Sequence, residues 1–214
     1  MIYPNLKEEK RLWRQGCRYV IGVDEVGRGA FAGPLVVGAV CLTQECVLPA
    51  GINDSKVLNK RLRGRLAKII KKQCYAWSVG EVSVAKINRV GIGGATSMAV
   101  REAVRKIFLN LEEREARVHL LLDAFYIKYI RGLGLKGQKA IVKGDKKSLA
   151  IASASIVAKV YRDSLMKKLG RVFPAFGWGR NKGYGTRIHR EAILRYGTTK
   201  WHRKDFVKTW LASL

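Results

Sequence analysis

RYVIGVDEVGRGAFAGPLVVGAVCLT, residues 18–43, holds the pattern that decides the fold. RYVIGVDE (18–25) and LVVGAVCLT (35–43) are apolar, β-branched runs of strand length. The glycine-rich turn GRGAFAGP (27–34) between them predicts an antiparallel pair. The first strand ends in two acids, Asp24 and Glu25, where an ionised carboxylate is costly unless paired or metal-bound.

Working outward, residues 6–15 read as a helix, and NKRLRGRLAKIIKK (59–72) has apolar residues at helical spacing with a basic outer face. CYAWSVGEVS (74–83) alternates as a third strand, and a helix is expected over about 95–114. VHLLLD (118–123) is a short strand ending in a carboxylate, and KAIVKG (139–144) a fifth strand. The small residues of 146–168 suit a long helix packed closely on a sheet.

The length of 214 residues fits one globular domain, and 48% hydrophobic residues suffice for a core. No run of about 18 apolar residues exists to span a membrane, and the charged MIYPNLKEEKRLWRQG lacks a secretory signal's apolar middle. The four cysteines, Cys17, Cys41, Cys46 and Cys74, form no CxxC pair and read as reduced thiols of a cytoplasmic protein.

The net charge of +26 calls for an anionic partner, and nucleic acid is the first candidate. The last 48 residues hold 12 Lys/Arg against two acids, and 8 of the 19 aromatics, a mixture suited to phosphates and bases. Trp201, Phe206 and Trp210 are expected to be mostly structural.

Six aspartates stand out in so basic a chain. One buried strand-end Asp is usually structural. Asp24 and Asp123, on strands of one sheet about 4.8 Å apart, can converge on one point. Converging acids with hard oxygen donors favour Mg²⁺ or Mn²⁺, and Asp163 on the long helix is a further candidate ligand. Beside a basic surface, this reads as metal-assisted phosphodiester chemistry.

GVDEVGRGAFAGPLVVGAV (22–40), NDSKVLNKR (53–61), LLLDAF (120–125), KGDKKSLAIASASIVAKVYRD (143–163) and NKGYGT (181–186) together resemble type 2 ribonuclease H of prokaryotes. The resemblance covers nearly the whole chain. It implies an α/β, ribonuclease H-like mixed five-stranded sheet flanked by helices, with a C-terminal helical extension. The division it suggests is a catalytic domain over 1–186 and a basic helical extension over 187–214. It implies a cytoplasmic endonuclease that cuts the RNA strand of RNA–DNA hybrids. It also implies nicking on the 5′ side of ribonucleotides embedded in duplex DNA, with two Mg²⁺ or Mn²⁺ ions, giving 3′-hydroxyl and 5′-phosphate ends.

By the same resemblance, Asp24, Glu25, Asp123 and Asp163 are the catalytic and metal-binding carboxylates. The backbone of Gly27-Arg28-Gly29 would contact the ribonucleotide 2′-hydroxyl. Tyr184 would stack on the following sugar, and Lys56 and Lys143 would meet phosphates. Asp145 and Ser148 are expected to cap the long helix, and His189 and His202 to stay outside catalysis. Type 3 enzymes generally have a glutamate as fourth acid, so Asp163 favours type 2. Two departures, Ala30-Phe31 in the turn and Gly91, Gly93 and Gly94 in VGIGGATSMAV (90–100), bear on local stability and the helix boundary. A monomer is the default, and no protein partner is inferred. The competing classes are a non-catalytic basic RNA-binding protein and another nuclease or recombinase of the same fold.

Overall fold

The computed structural model describes residues 3–112 and 117–214, so the last two residues of the helix expected over 95–114 lie outside it. The hairpin forms as expected: β1 (Tyr19–Val26) runs antiparallel to β2 (Leu35–Leu42). β3 (Ala76–Val82) pairs antiparallel with β2, whereas β4 (Val118–Asp123) pairs parallel with β1, and β5 (Gln138–Ile141) parallel with β4. The result is a mixed five-stranded sheet in the order β3-β2-β1-β4-β5.

Helices cover both faces, which is why β1 and β2 are almost continuously apolar. On one face α3 (Val84–Phe108) buries Ala99, Val100 and Ile107 against Ile21, Val37 and Leu120. On the other, α1 (Lys7–Arg14), α2 (Lys60–Gln73) and α4 (Leu149–Val172) enclose Val20, Val40 and Leu121. A Cβ on Gly22 would lie 2.1 Å from the Ala150 carbonyl carbon, and one on Gly38 2.3 Å from the Ala154 oxygen. Only glycine at these two positions lets α4 rest directly on β1 and β2. The small-residue stripe of α4 therefore sets the distance between helix and sheet.

α3 begins at Val84, eleven residues before the expected start at 95, because Ser83 caps it by accepting from the Lys86 N–H. The glycine-rich stretch sits inside this helix and kinks it at Gly91.

The C-terminal segment adds α5 (Trp178–Asn181), α6 (Arg187–Tyr196) and α7 (Lys204–Leu211). Ala192, Ile193, Val207 and Trp210 pack with Ala32, Met166, Phe176 and Trp178 in a third apolar cluster. Phe206 and Trp201 lie partly buried at this end of the molecule. Among the described residues no helix is long and apolar enough to cross a membrane, and all four cysteines are free thiols.

Candidate active site

The β1–β4 register pairs Val23 with Leu122, so the next residues, Asp24 and Asp123, come level at neighbouring strand ends. Asp24 faces α4, where its carboxyl meets the Ser155 hydroxyl, itself 2.9 Å from the Ser55 hydroxyl. Its Oδ1 also accepts from the Glu25 N–H at 2.8 Å. Burial pushes the Asp24 carboxyl up to about 8. The Ser155 hydrogen bond opposes that rise, while Glu25, Asp123 and Asp145 add to it. Asp123 Oδ1 accepts from the Gly144 N–H at 2.8 Å, which ties the loop after β5 to the end of β4.

Glu25 points to the opposite face of β1. Its Oε1 lies 3.6 Å from Arg28 Nη1, and its Oε2 is buried without a hydrogen-bond partner. Burial raises its carboxyl too, against the pull of the Arg28 guanidinium.

The fourth acid of this group is Asp145, and here the sequence expectation is corrected. Asp145 caps nothing; it lies buried in the short 3₁₀ turn after β5, beside Asp54 and Asp123. Ser148 alone caps α4, accepting from the Ile151 N–H. Asp163 sits on α4 eight residues beyond Ser155, the residue that meets Asp24. It pairs with Lys159 at 2.8 Å and Arg63 at 3.4 Å. The reason is geometric. Asp145 follows a strand whose Ile141 is paired with Asp123. Asp163 lies fourteen residues into α4, about 20 Å along its axis.

Lys56 stands among these acids: Asp145, Asp54, Asp24 and Asp123 together hold its ammonium above the ordinary range, against the effect of burial. Lys143 sits at the mouth of the same loop, exposed and in the left-handed region at φ 56°.

The 27–34 turn is fixed from behind by two fully buried arginines, Arg162 and Arg203, neither of which forms an ion pair among the described residues. Arg162 donates to the carbonyls of Pro34, Lys182 and Ala32 at 2.9, 2.9 and 3.1 Å. Gly27 has φ +89°, and a Cβ there would lie 2.1 Å from Arg162 Nε, so this position accepts only glycine. Arg203 donates through Nη1 to the Arg28 carbonyl at 2.8 Å, and through Nε and Nη2 to Gly33 at 3.1 and 2.9 Å.

Tyr184 is carried to the same place. The Phe31 and Ala32 N–H groups both donate to the Gly183 carbonyl, at 2.8 and 3.0 Å. The half-exposed Tyr184 ring lies 5.7 Å from the Arg162 guanidinium carbon. Its carbonyl faces His189 Nδ1 at 2.9 Å.

The two C-terminal histidines form a buried relay whose protons the partners dictate. The Trp178 indole donates to His189 Nε2, so the His189 proton sits on Nδ1 and points at the Tyr184 carbonyl. The Thr199 N–H donates to His202 Nδ1, so His202 donates through Nε2 to His189 Nε2 at 3.1 Å. Both rings are neutral, and burial together with His189 lowers His202 to about 4.

The structure thus gathers Asp24, Glu25, Asp123, Lys56 and Lys143 at one end of the sheet, next to Gly27, Arg28, Gly29 and Tyr184. Asp145 joins them and Asp163 does not. Sequence reasoning missed Asp145, Ser155, Arg162 and Arg203 as parts of this region. Asp145 was legible as the first acid after a strand adjacent to the one ending in Asp123. Nothing local marked the arginines.

Among the described residues no three His, Cys, Asp or Glu side chains close into a ready-made metal cage. The donor chemistry nonetheless fits a hard divalent cation: Glu25 Oε2 is buried and unpartnered, and Asp24 lies among three other carboxylates.

The sequence model of the family described as Ribonuclease HII matches residues 21–212. Ribonuclease HII of Thermosynechococcus vestitus is 43% identical over 96% of this chain and 91% of its own length. The Paracoccus denitrificans protein of the same name is 42% identical over 96% of this chain and 93% of its own. Among solved structures, that of the PCNA:RNase HII complex from Archaeoglobus fulgidus superposes with a TM-score of 0.68 at 28% identity, covering 86% of this chain and 93% of that one. Bst-RNase HIII, solved with Mn²⁺, shares the fold at 21% identity and a TM-score of 0.72, covering 92% of this chain and 70% of that one.

Proposed function

Because the chain belongs to the ribonuclease HII family and is a ribonuclease H hydrolase, we propose that it cuts the RNA strand of RNA–DNA hybrids and nicks duplex DNA 5′ of an embedded ribonucleotide. The observation that carries this reading is the placement of Asp24, Glu25, Asp123 and Asp145 at one sheet end, beside a glycine turn and an aromatic ring.

Asp24, Glu25, Asp123 and Asp145 would hold Mg²⁺ or Mn²⁺, two ions in the active complex, and the metal supplies an activated water and counter-charge for the leaving oxygen. The backbone of Gly27-Arg28-Gly29 reads the 2′-hydroxyl, the atom that separates RNA from DNA. Tyr184 packs on the next sugar and favours a deoxyribose there. Lys56, already directed at the carboxylates, receives an oxygen of the scissile phosphate, and Lys143 a neighbouring phosphate. Water adds to phosphorus as the bond to the 3′ oxygen breaks, leaving a 3′-hydroxyl and a 5′-phosphate. Arg162 and Arg203 touch no substrate; they hold the turn that does.

Residues 187–214 form a basic helical extension of a catalytic unit spanning 1–186. The protein works as a monomer in the cytoplasm. The test is Mg²⁺-dependent cleavage of a DNA duplex carrying one ribonucleotide: one nick on its 5′ side supports the reading, and an intact duplex refutes it.

A further inference from the structure

Between Asp54 and Glu81 the chain contains no acid, and α2 occupies most of that interval. Its inner side is accounted for: Leu66, Ala67 and Ile70 pack in the core, and Arg63 turns inward to Asp163. Among the described residues Arg63 is the only α2 cation in an ion pair. The outer cations Lys60, Arg61, Arg65, Lys68 and Lys71 instead line one open cavity of about 850 Å³ together with Gly64.

Two further observations point to a ligand. Gly64 lies inside the helix with nothing within 4 Å of the place a Cβ would take, so no packing in the protein requires glycine there. A helix-interior glycine is unfavourable without such a reason, but it does leave room for an approaching backbone. At the far end, Lys71 Nζ lies 3.8 Å from the ring centre of Trp77, which remains 39% exposed at the edge of the sheet. That pair extends the cationic face with an aromatic surface.

We propose that the outer face of α2 is a second nucleic-acid contact, which holds the phosphate backbone of the duplex beyond the cleavage site. The position suits it. α2 starts four residues after Lys56, which faces the carboxylates, and its 14 residues span about 20 Å. A duplex seated at the sheet end therefore has five cations alongside it over roughly half a helical turn. These contacts go to phosphate and carry no sequence or sugar information. The proposal rests on the nuclease reading above only for the identity of the duplex.

The test is binding of the full chain, without divalent metal, to a 20-base-pair RNA–DNA hybrid and to the same sequence as DNA. The dissociation constant is measured across a salt series. A triple variant, Arg61→Ala, Arg65→Ala and Lys68→Ala, should flatten the slope of log K against log salt by about 2.7, at about 0.9 per phosphate contact. Affinity should fall by the same factor for both duplexes, and kcat at saturating hybrid, measured separately in Mg²⁺, should be unchanged. A second variant, Gly64→Gln, keeps every charge but puts a side chain into the open space beside Gly64, and should also weaken both duplexes. An unchanged slope in the triple variant, an unchanged affinity in Gly64→Gln, or a loss confined to the hybrid would each overturn the proposal. If wild-type protein leaves the hybrid uncut in Mg²⁺, the nuclease reading fails instead, and the salt slopes still decide the α2 contact.

Discussion

Arg203 Nη1 donates a 2.8 Å hydrogen bond to the main-chain carbonyl of Arg28, 175 residues earlier in the chain. The C-terminal segment is thereby part of the turn proposed to read ribose. Burial, with Arg162 nearby, lowers the Arg203 guanidinium to about 9, yet its donors satisfy the Arg28 and Gly33 carbonyls, which have no other side-chain partner among the described residues. Arg203→Gln should leave some of these carbonyls unsatisfied and cost about 2–4 kcal/mol. Chemical denaturation should show that loss. The kinetic signature is a narrowed preference for ribonucleotide over all-DNA substrate, which a purely structural residue would not change.

Asp145, expected from the sequence as a helix cap, lies beside Asp123 and is proposed for the metal role expected of Asp163, and paired variants separate the two. Asp145→Asn should reduce turnover in Mg²⁺ by at least about 100-fold, as removal of a charge-stabilising group at a reacting centre does. Asp163→Asn should chiefly lower stability, because it leaves Lys159 and Arg63 without their shared acid. Single-turnover rates and melting temperatures of both variants check this; equal rate losses would return Asp163 to the site.

Most of the fold was legible because burial writes itself into composition. β1, β2 and β4 were readable as apolar runs, and the glycine turn as a hairpin. The start of α3 was not, since three glycines masked a helix that Ser83 had already capped. The site was legible where an acid ends an apolar strand, as at Asp24 and Asp123. It was illegible where function depends on three-dimensional neighbours. Arg162 and Arg203 lie among many surface cations in the sequence, and only their carbonyl partners distinguish them. Asp145 looked like a cap because it precedes a helix, but β5 delivers it to Asp123.

Tyr184 should matter more for single ribonucleotides than for continuous RNA. A ring flat on the next sugar tolerates a 2′-hydrogen, whereas a 2′-hydroxyl there would clash or lose its water. Tyr184→Ala should therefore cut a single-ribonucleotide duplex poorly, with a smaller loss on a continuous hybrid. Parallel kcat/KM values decide it, and equal losses would assign Tyr184 to general binding.

The histidine pair predicts a pH dependence. His202 is lowered to about 4 in the folded protein from an ordinary value near 6.5, so between those values the unfolded chain binds more protons. This pair therefore contributes nothing to pH dependence above about 6.5, and removes stability as pH falls from there towards 4. In a proton NMR titration the His202 ring should stay neutral until pH approaches about 4, and the His189 ring should titrate below the ordinary imidazole range. A His202 midpoint near 6.5 would contradict the relay.

The most direct test of the account compares wild-type protein with Asp24→Asn on a DNA duplex containing one ribonucleotide, in Mg²⁺. Wild-type protein should give a single nick 5′ of the ribonucleotide, bearing a 3′-hydroxyl. Asp24→Asn should bind the duplex at least as tightly, having lost a negative charge beside the phosphates, and should not cut it. Near-normal turnover by Asp24→Asn would contradict the carboxylate site.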